Sequence, residues 1–165
     1  MIDWILKRRS IRKYTSEDVS EAQVTEILKA AMAAPTANNV CDWEFVVVRD
    51  PAVKRALAAA LPHGKMTAEA PLAIVVVGRT AEKYAEQDCA AATENILLAV
   101  TSLGLGAVWL GMKDPDRVAG VTKAVGLPEG RYPFTVIPIG HPAEDKPPRT
   151  QYDPAKIFQD RYGRR

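Results

Sequence analysis

Apolar residues recur along this chain in two rhythms, and the rhythms alternate. Val24, Ile27, Leu28 and Ala31 fall at i, i+3, i+4 and i+7, the spacing of one buried helical face. Just before them, Ser20-Glu21-Ala22-Gln23 reads as a capping box with Ser20 as N-cap. Val19 and Val24 stand where a hydrophobic staple would join the cap to its first turn. Pro35 ends this helix. Residues 44–49, EFVVVR, then switch to a short β-branched run that predicts a strand. A helix is expected over 51–61 with Pro51 in its first turn. A second buried strand follows over 72–78, LAIVVVG.

A long Ala- and Leu-rich helix is expected from Ala81 to about Leu103, stopped by Gly104. Its stretch 89–100 is apolar on most faces, which predicts a central helix shared with a partner subunit. AVWL at 107–110 predicts a third strand. Asp114-Pro115 caps and opens a further helix, closed by Gly126 and Pro128. FTVIPIG at 134–140 predicts a fourth strand, and Pro138 within it points to an edge or a bulge. Interleaved helices and strands give an α/β or α+β class built around one sheet.

No repeat or Gly/Ser linker divides the chain, so residues 1–165 are expected to form a single domain. Residues 141–165 turn proline-rich and polar and read as an extended C-terminal arm. Hydrophobic residues make up 47% and charged residues 25%, as in ordinary soluble domains. The net charge of +2 speaks against a general nucleic-acid coat. No apolar stretch approaches the roughly 20 residues that span a bilayer, and the N-terminal apolar run is too short for a signal peptide. Cys41 and Cys89 stand in no CxxC or Cys/His ligand spacing, so neither a zinc site nor a disulfide scaffold is expected. Together these predict a cytoplasmic protein without metal.

Against this near-neutral background, residues 7–13 carry five cations and no acid. If 8–12 is extended, Arg8, Ser10 and Arg12 share one face and Ile11 points the other way. Two guanidinium forks beside a hydroxyl make a receptor for a phosphate monoester. The alternative is a solvated basic run after a helix. APTANN at 34–39 offers Thr36, Asn38 and Asn39 either to a ligand or to its own turn. GLGAVWLG at 104–111 lacks the third glycine of a dinucleotide fingerprint and leads into a strand, the reverse of the required context. Gly111, at a strand end, either lets backbone approach a flat ligand or simply ends the strand. No hydrolase motif accompanies His63 or His141. Few acid–base groups are available, which suits a protein that hosts a cofactor and lets the cofactor do the chemistry.

Five ordered blocks carry a resemblance: RRSIRKY at 8–14, APTANN with WEF at 34–45, APLAIVVV at 70–77, QDCAAATENILLAVTSLGLGAVWLG at 87–111 and IGHPAEDKPP at 139–148. In these the chain resembles the FMN-dependent nitroreductase family. The resemblance implies an α+β fold, a mixed sheet flanked by helices, in an intertwined homodimer with FMN at the interface. It implies that Arg8, Ser10 and Arg12 hold the FMN phosphate and ribityl chain, with Arg9 lining the site through its backbone. Pro35, Thr36, Ala37 and Asn39 would reach the flavin from the other subunit. The backbone at Leu110 and Gly111 would face flavin N5, and Lys146 and Arg149 would complete the phosphate site.

The implied activity is that of an FMN-dependent NAD(P)H oxidoreductase. NADH or NADPH would reduce the flavin, and a nitroaromatic, quinone or enone would reoxidise it in ping-pong order, with no catalytic side chain. Reductive dehalogenation, other flavin chemistry or non-enzymatic flavin binding are alternatives on the same fold. Two departures stand out. Cys41 and Asp42 replace the Gln-Pro of the family's Asn-x-Gln-Pro-Trp loop, and Gln151 stands where many short members carry arginine.

Overall fold

The computed structural model describes residues 3–164. Its elements follow the order α1 (Asp3–Lys7), α2 (Glu21–Met32), β1 (Glu44–Val48), α3 (Pro51–Ala60), α4 (Met66–Glu69), β2 (Leu72–Arg79), α5 (Ala85–Ser102), β3 (Gly106–Ala107), β4 (Leu110–Gly111), α6 (Pro115–Val125) and β5 (Arg131–Gly140). One sheet runs in the order β1-β2-β5-β3, with β4 also on β5, and every pairing between these strands is antiparallel. The class is therefore α+β.

Side-chain alternation on the central strands sorts the core into two layers. Leu72, Ile74 and Val76 of β2, with Ile137 and Ile139 of β5, pack on Val24, Ile27 and Ala31 of α2 and Ile96 and Val100 of α5. Ala73, Val75 and Val77, with Val136, face the other way onto Leu57 of α3 and Val121 of α6. Helices cover both faces, so β2 is buried along all but its last residue. That explains why it reads as a continuous apolar run rather than an alternating one.

The helix ends follow their local signals. Ser20 accepts the Gln23 N–H at 3.3 Å, and Gln23 Oε1 accepts the Ser20 N–H at 2.9 Å, completing the capping box. Asp50 and Asp114 cap α3 and α6, each with proline in the first turn. Gly126 closes α6 in the left-handed region at φ 66°. Helix α5 begins at Ala85, four residues later than expected, after a turn at 80–84.

Two strand expectations are corrected. Strand β5 is not an edge: it pairs with β2 on one side and with β3 and β4 on the other. The bulge that Pro138 allowed for does lie in β5, but at Phe134 rather than Pro138: Val76 pairs with Thr135 and Val77 with Pro133, which leaves Phe134 as the extra residue. The AVWL strand is in fact two two-residue pieces, 106–107 and 110–111. Both share one register on β5, with Gly106 opposite Gly140 and Leu110 opposite Val136. That register would put Val108 across from Pro138, which has no N–H to give, and the ladder breaks there.

Candidate cofactor-binding site

The basic stretch is extended, as the alternation reading requires. Ser10 forms a parallel bridge with Ala107, and the Ile11 N–H donates to the Ala107 carbonyl at 2.9 Å. Ile11 is buried. Its side chain occupies the space above Gly106, where a Cβ would come within 2.7 Å of Ile11 Cγ2. Gly106 thus sets how closely this segment docks on the sheet. Tyr14 fastens the segment's far end, its hydroxyl donating to the carbonyls of Ile11 at 2.7 Å and Pro138 at 3.1 Å.

The C-terminal arm lies along the other side of the same segment. Ala143 N–H donates to the Lys13 carbonyl and Thr15 N–H to the His141 carbonyl, both at 2.9 Å. Glu144 accepts the Arg12 backbone N–H at 2.6 Å and pairs with Lys146 at 3.1 Å. These contacts, the Arg12 N–H first, hold the Glu144 carboxyl below its usual range. Lys146 Nζ donates to the Ser10 carbonyl at 2.6 Å. The Arg9 guanidinium donates to the Pro147 carbonyl, so its side chain is a tie to the arm. Arg149 stands exposed, with its N–H on the Leu6 carbonyl at 3.2 Å. The arm therefore braces the back of the segment, which leaves the side chains of Arg8 and Arg12 for other work. Arg8 meets Glu94 of α5 only at 3.5 Å, and the Arg12 guanidinium makes no hydrogen bond or ion pair among the described residues.

A cavity of about 790 Å³ opens beside Arg12. Trp109, Leu110 and Gly111 line it from the sheet edge, the turn Leu61–Met66 from between α3 and α4, and Arg117 from α6. Thr135 Oγ1 donates to the Leu110 carbonyl at 2.9 Å and holds β4 in place. Gly111 is the informative residue here. A Cβ on it would meet only Trp109 Nε1, at 3.9 Å, and its φ is not in the left-handed region. Neither backbone conformation nor internal packing calls for glycine, so the space above it is kept clear toward the cavity. A flat cofactor whose ring lies against the strand end needs that clearance. The expected FMN fits on three counts: free guanidinium donors, a bare strand end and a cavity of ligand size.

The 34–39 loop lies elsewhere. The Ala37 N–H donates to both carboxylate oxygens of Asp88 on α5, at 3.0 and 3.2 Å, and Thr36 Oγ1 accepts the Cys41 N–H at 3.0 Å. Asn38 and Asn39 sit at φ 53° and 56°, the left-handed conformation that asparagine tolerates best after glycine. The loop is thus well built, yet Pro35, Thr36, Ala37 and Asn39 do not line the cavity within this chain. His63, Lys65 and Arg117, which do, were missed by sequence reasoning. They share no spacing with the basic stretch, and only the packing of α3 and α6 brings them to it.

The Cys41-Asp42 departure splits into an exposed thiol and a buried carboxylate. Among the described residues neither Asp42 oxygen has a hydrogen-bond partner, and Trp43 Nε1 and Tyr132 Oη are buried without one as well. Burial, with the charges of Asp42, Asp88 and Glu86, pushes the Cys89 thiol up to about 12. Burial also raises the phenols of Tyr14 and Tyr132. A pH dependence follows. Above about pH 8.5 an unfolded cysteine releases its proton while folded Cys89 keeps it. The unfolded state then binds fewer protons, and stability falls by up to about 1.4 kcal/mol per pH unit. The tyrosines add to the loss above about pH 10. Urea midpoints measured from pH 7 to 10.5 should decline from about pH 8.5, and Cys89→Ala should flatten the decline below pH 10. An unchanged slope in the variant would assign the decline to other groups.

Comparison with known proteins identifies the family. The Nitroreductase family model matches residues 5–64 and 58–141. A protein of Methanothermobacter thermautotrophicus that carries the provisional name NADH dehydrogenase/NAD(P)H nitroreductase is 41% identical, over 98% of this chain and 87% of that one. A crystal structure from Bacteroides thetaiotaomicron, under the same provisional name, superposes with a TM-score of 0.94 at 44% identity, covering 98% of this chain and 97% of that one. The FMN-dependent nitroreductase of Clostridium difficile superposes with a TM-score of 0.93 at 29% identity, over 98% of this chain and all of that one.

Proposed function

The chain belongs to the nitroreductase family, and on that premise we propose that it is an FMN-dependent NAD(P)H oxidoreductase that reduces small nitroaromatic, quinone or enone acceptors. The observation that carries the reading is the bare Gly111 at the floor of the cavity, glycine where nothing in the fold asks for it. When bound, FMN supplies hydride exchange at N5, between NADH or NADPH and the acceptor in ping-pong order.

The chain's own residues do the binding and positioning. Arg8 and Arg12 give charge-assisted hydrogen bonds to the phosphate, and Ser10 adds a shorter donor. Arg9 and Lys146 hold the backbone of that segment to the arm, and Arg149 extends the basic edge beyond Lys146. The Leu110–Gly111 backbone is fixed by pairing with Val136 and Thr135, and the N–H that points away from β5 would be offered at the strand end. Such donors stabilise added electron density without a titrating side chain. Trp109, Leu61 and Met66 keep the cavity apolar and limit water around the reacting atoms.

The functional unit in this reading is a homodimer. Trp4, Ile5 and Met32 are exposed beside a groove between α1, α2 and α5 that Ala30, Leu98 and Leu103 line. The arm beyond 150 exposes Tyr152, Ile157 and Tyr162. Contiguous apolar surface of this kind suits an obligate interface. A second copy would bring its 35–39 loop to the flavin, which accounts for a preformed loop that lines no part of the cavity in its own chain. No described helix is long and apolar enough to cross a membrane, and a cytoplasmic setting is part of the same proposal.

The test is a visible spectrum of the purified protein, followed by anaerobic addition of NADH and of NADPH. A flavin spectrum that bleaches with either donor and recovers on adding a nitroaromatic or quinone is expected. A protein that stays colourless when FMN is supplied would defeat the proposal.

A further inference from the structure

The cavity contains more positive charge than its cofactor needs. Its ionisable lining residues are Arg12, His63, Lys65 and Arg117, all of basic type, and none of the four side chains is ion-paired among the described residues. Glu69 and Asp116, near Lys65 and Arg117 in the chain, form no ion pair with them among the described residues, and two further carboxylates are engaged elsewhere. Glu144 is held by the Arg12 backbone N–H and by Lys146, and Asp114 accepts the N–H groups of Asp116 and Arg117 as the cap of α6. Resting on the reading above, FMN brings one phosphate, for which Arg8, Ser10 and Arg12 are the clamp. Its ring system is uncharged when oxidised. Assigning Lys65 to the electron-rich edge of that ring still leaves the Arg117 guanidinium with no charge to meet.

The rest of the lining is apolar and includes an indole: Trp109, Leu61, Pro62, Met66 and Leu110. A cationic side set into an apolar wall selects amphipathic ligands. It takes a flat ring against the hydrophobic surface and an anionic substituent against a guanidinium, which offers a bidentate fork to a carboxylate or phosphate oxygen pair. Partial exclusion of water by the apolar lining strengthens that pairing relative to a surface site.

We propose that Arg117, supported by His63, is a specificity determinant that docks an anionic group of the substrate, so that this enzyme prefers flat substrates bearing a carboxylate or phosphate over neutral ones. The anion has two sources in this reaction class, a carboxylated acceptor or the 2′-phosphate of NADPH. The experiment separates them. Isothermal titration of the FMN-loaded protein, without turnover, compares 4-nitrobenzoate with 4-nitrobenzyl alcohol, and NADP+ with NAD+. One charge-assisted contact predicts that the anionic member of at least one pair binds about tenfold or more tighter. Arg117→Gln reduces that preference to within about twofold, and Arg117→Lys retains part of it because the charge stays while the fork is lost. Lys113→Gln, which removes a cation outside the cavity, leaves the preference at its wild-type value. A preference confined to the benzoate pair assigns the anion to the acceptor, and one confined to the dinucleotide pair assigns it to the donor.

Equal affinities within both pairs, or a preference that survives Arg117→Gln, would overturn the proposal. Failure of the underlying reading looks different: the protein would not take up FMN or would not be bleached by a nicotinamide. The titrations, repeated on that colourless protein, still read the cationic wall directly.

Discussion

Arg8→Ala combined with Arg12→Ala is expected to give a folded, colourless protein that binds added FMN at least about a hundredfold more weakly than wild type. A hydrogen bond to a charged group contributes about 1.5–3 kcal/mol. Removing two costs about 3–6 kcal/mol, or roughly two to four orders of magnitude in affinity. The fold should tolerate the change. Among the described residues Arg8 makes only a long, half-exposed contact with Glu94, a kind of pair that contributes little to stability, and the Arg12 guanidinium is unpaired. Ile11, Gly106 and the arm keep the segment in place. The check is fluorimetric FMN titration of both proteins with thermal melts alongside. Wild-type affinity in the double variant would move the phosphate site elsewhere on the molecule.

The second large effect contrasts one substitution at two glycines only five residues apart in sequence. Gly111→Ala should leave the urea midpoint unchanged, because the new methyl meets nothing nearer than 3.9 Å. It should nonetheless slow anaerobic flavin reduction by about a hundredfold, since misplacing reacting groups by about 1 Å costs on that order. Gly106→Ala should behave oppositely. Its methyl would come within 2.7 Å of Ile11 Cγ2 and 2.8 Å of Ile11 Cβ, so the Arg8–Arg12 segment must lift from the sheet. Overpacking of this kind costs about 1–3 kcal/mol. Stability and FMN affinity should fall together there, whereas at Gly111 they part. If Gly111→Ala melts early while reduction proceeds at the wild-type rate, glycine is present for the fold and the cofactor reading loses its main support.

Much of this architecture is legible residue by residue. The helices whose caps were recognised, at Ser20 and Asp114, begin where the cap stands, and α3 begins at the Pro51 that announced it, because capping is settled within one turn of chain. The alternation of residues 8–12 is equally local: Ile11 is buried, and the flanking Arg12 is exposed, as period two requires. The AVWL strand failed for a nonlocal reason. Its interruption is set by Pro138, a residue some thirty positions away that comes opposite Val108 only after β5 has paired. The same pairing made β5 central, although Pro138 points to an edge or a bulge.

The candidate site divides along the same line. The basic segment, the small-residue loop and the strand-end glycine each announce themselves within a few residues, and in order they carried the resemblance to the family. Which of them meet did not follow from the order. Arg12, Leu110 and Gly111 share a cavity, the 34–39 loop is held apart on Asp88, and the arm is spent on bracing Ser10 and Arg12 from behind. His63, Lys65 and Arg117 join the cavity with no local signal at all. The larger elements and the caps at Ser20 and Asp114 are written locally, because hydrogen bonding and burial periodicity act over three or four neighbouring residues; α4 and the break in AVWL carried no such local signal. Tertiary structure alone decided the strand register and the cationic wall. Both depend on which distant segments exclude water from one another, and that is a property of the closed core rather than of any stretch of chain.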